Sequence, residues 1–378
     1  MYFKLLGISV IVLFFANITK AQLVDRHATN ETKNLYENLH KLESKGILFG
    51  HQDDLAYGVN WKYIDGRSDV KEVTGEYPAL YGWDLAGLEK DATVNLDSVP
   101  FDKIKQYIKK GYDRGGVISL TWHLNNPYTG KSAWDPVKGS VAAVLPGGEK
   151  HDLYVSWLNK VANFMLQLKG SDGKAIPILF RPFHELTGSW FWWGKNLSSP
   201  EEFKQLWKFT VDYLQTKRNV HNLIYVYNTS DFANVADFME RYPGDNYADV
   251  LSFDSYQYTN PVSDSSFVKN LDRQLTILEK LSQEHHKISA LAETGYEAVP
   301  YTEWWTNVLW KALSKHKLSY VLLWRNAGIR PNTTVPHFYV PYKVQVSEQD
   351  FVKFYKVERM FFERKIKQRK IYSHLNKP

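Results

Sequence analysis

Short apolar runs alternate along this chain with longer stretches in which apolar residues recur every three to four positions. The runs occupy 47–51, 79–84, 116–123, 176–185, 222–229, 250–257, 288–295 and 319–326. Near-continuous apolar runs of this kind predict strands buried on both faces of a parallel sheet. The stretches between them, most clearly 101–114, 152–169, 200–217, 267–285 and 301–316, carry the spacing of amphipathic helices. A helix is also predicted at 31–44, with Leu35, Leu39 and Leu42 on one face and Gly46 beyond its end, and a last one at 348–368. Eight strands, most of them followed by a helix, predict a single α/β domain, a (β/α)8 TIM barrel spanning 22–378. A doubly wound open sheet fits less well. Gly50-His51-Gln52-Asp53-Asp54 stands where a Gly-rich phosphate loop would follow the first strand.

Barrels of this type carry their chemistry at the C-terminal ends of the strands. Polar and aromatic residues gather there in this chain. The first predicted strand ends in His51, the second in Trp83-Asp84, the third in Trp122-His123 and the fourth in His184-Glu185. The sixth ends in Asp254-Ser255-Tyr256, the seventh in Glu293 and the eighth in Trp324-Arg325-Asn326. The break in polarity is sharpest in 178–194. Ile178, Leu179 and Phe180 run into Arg181, His184 and Glu185, and then into Trp190, Phe191, Trp192 and Trp193. A carboxylate beside a cation and a histidine, under several indoles, suits the floor of a sugar site.

Composition narrows the setting. Lys4, the apolar run 5–16 and the small residues of Thr19-Lys20-Ala21 have the form of a signal peptide over 1–21, with Gln22 as the expected mature start. The apolar run is shorter than the roughly 20 residues a spanning helix needs. The protein is therefore expected to be exported, to the periplasm or the medium, with no membrane span. The chain has no cysteine, so neither a disulfide framework nor a thiol-linked lipid anchor is available. Removing Lys4 and Lys20 from 47 basic residues leaves 45 against 41 acidic ones, a net charge of +4. The basic residues crowd the last predicted helix, which suits a solvated helix face and not a nucleic-acid partner. Aromatic residues make up 15% of the chain, with 13 Trp, enough both to fill a large core and to stack on sugar rings.

Glu185 and Glu293 follow the fourth and seventh strands, whose ends face each other across a barrel mouth. Two carboxyls straddling one bond can cleave a glycoside, one protonating the leaving oxygen and the other attacking the anomeric carbon. Glu185, near aromatic surface, is expected to have a raised pKa and to act as the acid. Glu293, within reach of the Tyr256 phenol and of Arg325, is expected to be the ionised nucleophile. Asp84 and Asp254 are expected to orient neighbours or substrate. His51, His123 and His184 could in principle converge as zinc ligands, but no HExxH motif is present and sugar hydroxyls suit His123 and His184 better. A serine hydrolase is disfavoured by the absence of a G-x-S-x-G elbow. Neither metal nor cofactor is expected.

The run 181–194, Arg-Pro-Phe-His-Glu-Leu-Thr-Gly-Ser-Trp-Phe-Trp-Trp-Gly, closely resembles the acid/base signature of glycoside hydrolase family 26, the β-mannanases. The resemblance extends to Thr121-Trp122-His123, Asn126-Pro127, Trp134-Asp135, 145–148, Asp254-Ser255-Tyr256, Ala292-Glu293-Thr294-Gly295 and Trp324-Arg325-Asn326. It implies a (β/α)8 barrel that hydrolyses β-1,4-mannan or galactomannan with retention. Glu185 would be the general acid/base and Glu293 the nucleophile. His184 would be the histidine before the acid/base and Trp190 the indole bordering the cleaved bond, His123 and Trp134 would contact the sugar on the non-reducing side, and Tyr256 would bond the nucleophile. Trp324 would lie under that sugar and Arg325 would reach one sugar further out. Arg181, Asp84 and His51 are expected to support the site, the last two on barrel geometry alone. Relatives acting on β-1,3/1,4-glucan or β-1,3-xylan are the alternative, with a non-catalytic sugar-binding barrel a more distant one. A monomer is expected.

Overall fold

The computed structural model describes residues 22–329, 334 and 336–374. The expected signal segment, 1–21, lies outside the described residues. Eight parallel strands close on themselves: β1 (Ile47–Gln52), β2 (Leu80–Asp84), β3 (Val117–Trp122), β4 (Ile178–Pro182), β5 (Leu223–Thr229), β6 (Val250–Gln257), β7 (Ile288–Tyr296) and β8 (Tyr320–Leu323). Each pairs with the next, and β8 returns to β1 through Leu48↔Tyr320 and Gly50↔Leu322. The helix α1 (Asn30–Leu42) precedes β1, and around the strands run α2 (Phe101–Asp113), α3 (His151–Gln167), α4 (Pro200–Asp212) and α5 (Ser266–His285). The β7–β8 crossover is a π-helical turn at Trp305–Trp310 that continues into Lys311–Leu313. The β1–β2 and β5–β6 crossovers hold only short helices, Asp69–Thr74 and Val235–Met239. The predicted TIM barrel is the fold.

Local signals place the helices. In α4, Ser199 Oγ accepts the N–H of Glu202 at 3.1 Å, Glu202 Oε2 accepts the N–H of Ser199 at 2.7 Å, and Pro200 opens the first turn. This reciprocal cap satisfies two helix-end donors at once. Strand alternation sorts the barrel into two layers. Leu48, Leu80, Val117, Leu179, Ile224, Val250, Ala290 and Tyr320 form the interior cluster, together with Leu35, Leu39 and Leu42 of α1, which thereby stoppers the bottom of the barrel. The opposite parity, including Ile47, Phe49, Tyr81, Ile118, Phe180, Tyr225 and Leu251, packs outward into the helical layer.

The predicted helix at 348–368 is a point of correction. It is α6 (Glu348–Tyr355), then the short strand β9 (Met360–Phe361), then α7 (Glu363–Arg369). Three consecutive apolar residues, Met360-Phe361-Phe362, cannot share one helical face. As a strand they serve both sides of the chain, and β9 pairs with the start of β1 through Ile47↔Met360 and Leu48↔Phe361. The absence of a side chain on Gly46 makes the room, because a Cβ there would come within 2.4 Å of the Phe361 ring. Among the described residues no helix is long and apolar enough to cross a membrane.

Candidate active site

Inward-facing parity carries Arg181 to the floor of the barrel mouth. It is almost fully buried, yet it is matched. Nη1 donates to Asp254 Oδ2 at 2.7 Å and to Asn228 Oδ1 at 3.0 Å, and Nη2 pairs with Glu293 Oε1. Burial works against this guanidinium, but the Asp254 and Glu293 carboxylates outweigh it and raise its pKa. Arg181, not Arg325, is thus the cation on Glu293, which corrects the sequence expectation. The Tyr256 hydroxyl donates to the other Glu293 oxygen at 2.8 Å, as expected.

Glu293 reaches this position through a fault in the ladder. Along β6 and β7, Phe253 pairs with Leu291 but Asp254 pairs with Glu293, so Ala292 is an extra residue. Without the bulge, inward Ala290 and Ala292 would leave Glu293 facing the helices. The bulge re-aims its side chain into the mouth. Glu185 is placed by a different device. β4 ends at Pro182, after which Phe183 and Glu185 both take left-handed backbone conformations, φ 52° and 53°. The Glu185 N–H donates to Asn228 Oδ1 at 3.2 Å, and Trp190 Nε1 donates to Glu185 Oε2 at 2.8 Å. Glu185, Asp254 and Glu293 each bring one carboxylate oxygen within 4.8 Å of the others.

The glutamates have different electrostatic surroundings. Burial, followed by the Glu293 charge, raises the Glu185 pKa to about 7, while the Trp190 hydrogen bond and Arg181 only partly offset this. Beside them lies a relay of two imidazoles. Asp84 Oδ2 bonds His123 Nδ1 at 2.6 Å, and His123 Nε2 meets His184 Nε2 at 3.0 Å. Burial disfavours the His123 cation, but Asp84 overcomes it and raises the pKa; burial and then the His123 charge push His184 far down. Across the His123–His184 contact one Nε2 must donate and the other accept, and the buried Nδ1 of His184 has no hydrogen-bond partner among the described residues.

The aromatic run divides by exposure. Trp134 stacks on His123 at 5.0 Å with its outer face half open, and Trp190 is 43% exposed on the cleft rim. Phe191, Trp192 and Trp193 are buried packing, and Trp193 Nε1 donates to the His184 carbonyl at 2.9 Å. Trp324 stands half-buried just past β8, with its N–H bonded to Thr294 O at 3.2 Å. Arg325 turns toward β1 and β2, pairing with Asp97 at 3.0 Å and with the Tyr57 hydroxyl at 3.2 Å. There it lines a cavity of about 700 Å³ with Tyr57, Trp61, Asp97 and Gly328.

His51 is not brought to the site. It shares the outward parity of Phe49, and its Nδ1 pairs with Asp54 at 2.7 Å, while inward Gln52 fills the space beside Gly82. Among the described residues, accordingly, His51, His123 and His184 do not converge on one point. Asn228 and Asp97 are site residues that sequence reasoning missed. Asn228 uses its whole amide: its Oδ1 serves Arg181 and the Glu185 backbone, and its Nδ2 donates to Ser252 Oγ at 3.0 Å and Asp254 Oδ1 at 2.9 Å. It is the penultimate residue of β5, the one strand at which no functional end was read, and its position there was the available signal.

Comparison with known proteins agrees with this geometry. Residues 24–321 match Glycosyl hydrolase family 26. A GH26 β-mannanase of Bacteroides ovatus is 45% identical, superposes with a TM-score of 0.87, and is matched over 93% of this chain and 100% of its own. A modular endo-β-1,4-mannanase of Cellulomonas fimi is 33% identical with a TM-score of 0.81, over 92% of this chain and 78% of its own. A mannan endo-1,4-β-mannosidase of Bifidobacterium adolescentis is 34% identical over 287 residues, covering 74% of this chain, which spans only 28% of that protein's length. The chain belongs to glycosyl hydrolase family 26.

Proposed function

We propose that the protein is a retaining β-1,4-mannanase that cuts mannan or galactomannan by double displacement. The observation that carries the mechanism is the spacing of the unlike glutamates, with carboxylate oxygens within 4.8 Å. Retaining enzymes hold their two carboxyls about 5–5.5 Å apart, whereas inverting ones need roughly 6.5–9.5 Å to admit a water. In the first step the protonated Glu185 gives its proton to the glycosidic oxygen while Glu293 attacks the anomeric carbon. In the second, Glu185 takes a proton from water, which displaces Glu293. Arg181 and Tyr256 hold the nucleophile on two sides, and Asn228 holds the backbone of the acid. The His123–His184 relay and Trp134 line the side where the attacked sugar rests. The names of the mannanase relatives support the substrate, and the leader-like first 21 residues support export to the periplasm or the medium, where such polymers are met.

Glu185→Ala should lower kcat on mannan by roughly 10²–10⁴-fold, the usual weight of a general acid, and Glu293→Ala should abolish turnover, both with the fold intact by circular dichroism. Azide should then rescue them differently, giving a β-glycosyl azide with Glu185→Ala and an α-glycosyl azide with Glu293→Ala. Azides of the same anomeric form would refute the roles. Side-by-side reducing-sugar release from mannan, mixed-linkage glucan and β-1,3-xylan tests the substrate.

A further inference from the structure

The line from Glu185 after β4 to Glu293 on β7 divides the barrel mouth. On one side are β8, β1, β2 and β3, with His123, Trp324, Arg325 and the cavity of about 700 Å³. On the other are β5 and β6. A glycan threaded between the two carboxyls must cross that line, so its leaving-group sugars lie over the ends of β5 and β6. A second, smaller cavity of about 180 Å³ opens there, lined by Asp231, Ser255, Tyr256, Tyr258 and Asn270.

Tyr258 is the feature without a structural use. Its side chain is 85% exposed, yet its loop is braced. Buried Gln257 donates from Nε2 to Thr259 O at 2.9 Å, spanning Tyr258, and is itself locked by Trp304 Nε1 on its Oε1 at 2.7 Å. Thr259 Oγ1 donates to Asp264 at 2.9 Å. The ring lies 6.4 Å from that of Tyr256, which holds the nucleophile. The Tyr258 hydroxyl is raised by desolvation and then by the charges of Glu185, Asp231 and Glu293. A single exposed aromatic is ordinary; one on a prearranged stalk beside the reacting carboxyls has the form of a binding platform.

We infer that Tyr258 is the stacking platform for a leaving-group sugar, with Asp231 placed to accept from its hydroxyls. The inference rests on the retaining-mannanase reading and adds to it a control over the second step. A sugar held on Tyr258 competes with water for the glycosyl-enzyme. Its hydroxyl gives its proton to Glu185, its oxygen bonds the anomeric carbon, and the ester bond to Glu293 breaks, restoring the carboxylate and forming a longer glycan.

The test compares wild type, Tyr258→Ala and Tyr258→Phe on β-1,4-mannopentaose and on a nitrophenyl β-mannobioside, with transfer products followed by mass spectrometry. Tyr258→Ala should lower kcat/KM on mannopentaose about three- to tenfold. It should lower the aryl substrate less, reduce transfer relative to hydrolysis, and leave the thermal midpoint in place. Tyr258→Phe keeps the ring and should keep both activities. Equal losses on the two substrates, or an unchanged transfer ratio in Tyr258→Ala, overturn the platform alone. A wild type that leaves mannopentaose uncut overturns the mannanase reading itself.

Discussion

Glu185 sits at φ 53° and its near neighbour Phe183 at φ 52°, in the left-handed region that side chains rarely adopt. Such residues cost about 1–3 kcal/mol each and persist where the surroundings over-determine them. Here the surroundings are Asn228 on the Glu185 N–H, Trp190 on its carboxylate, and the buried Phe183 ring among Trp192, Trp193 and Phe203. The same surroundings set the acid. With its pKa raised to about 7, first by burial and then by Glu293, Glu185 is protonated below that pH and loses its proton above it. The kcat/KM profile, which reports the free enzyme, should therefore fall on the alkaline side through a single limb near pH 7. Activity that stays level to about pH 9 would show that another group supplies the proton. Glu185 was legible in the sequence because an apolar run breaks there into charge. Asn228 was not, because one asparagine near the end of an apolar strand carries no mark of its role until its four partners are in place.

Among the elements, strand count and order were legible because buried parallel strands leave apolar runs that helical spacing does not imitate. Which way each strand-end residue faces was only partly legible. His51 was expected at the site, but alternation from Leu48 turns it outward; Glu293 was expected inward, and only the extra residue Ala292 makes it so. A bulge has no signature in a single sequence. The C-terminal helix was misread for a related reason: a basic, amphipathic composition concealed a two-residue strand. That strand brings Phe362 onto Phe49 at 4.7 Å, nearly parallel, with Phe351, Phe354 and Trp305 completing the cluster. Phe49 thus joins β1 to the C-terminal segment around Phe351, Phe354 and Phe362. Phe49→Ala should cost about 3–5 kcal/mol, measured as the shift in urea unfolding. A loss below about 1 kcal/mol would mean that the C-terminal segment folds back without this anchor.

The whole barrel is sealed at its two ends by opposite means, a polar network at the mouth and an apolar stopper at the base. The stopper was legible as a helix but not as a plug, since an amphipathic pattern does not say what its apolar face will meet. Where α1 ends, Glu43 is buried and accepts both the N–H of Ser289 at 2.7 Å and its hydroxyl at 2.9 Å. Burial nevertheless dominates over those two bonds and raises the Glu43 pKa to about 8 from an ordinary 4.5. The sign follows from proton uptake on folding. Below pH 4.5 folded and unfolded chains both carry the proton and nothing is lost. Between 4.5 and 8 only the folded chain holds it, so stability declines as pH rises, by up to about 1.4 kcal/mol per pH unit. Above 8 the loss is complete and constant. Glu43→Gln keeps an acceptor oxygen for Ser289 and has no proton to lose. Relative to wild type, it should therefore be more stable at pH 8.5 than at pH 5, with the difference in thermal midpoint opening across that window. A difference that is the same at both values would mean that Glu43 ionises freely and that the base of the barrel admits water beside Ser289.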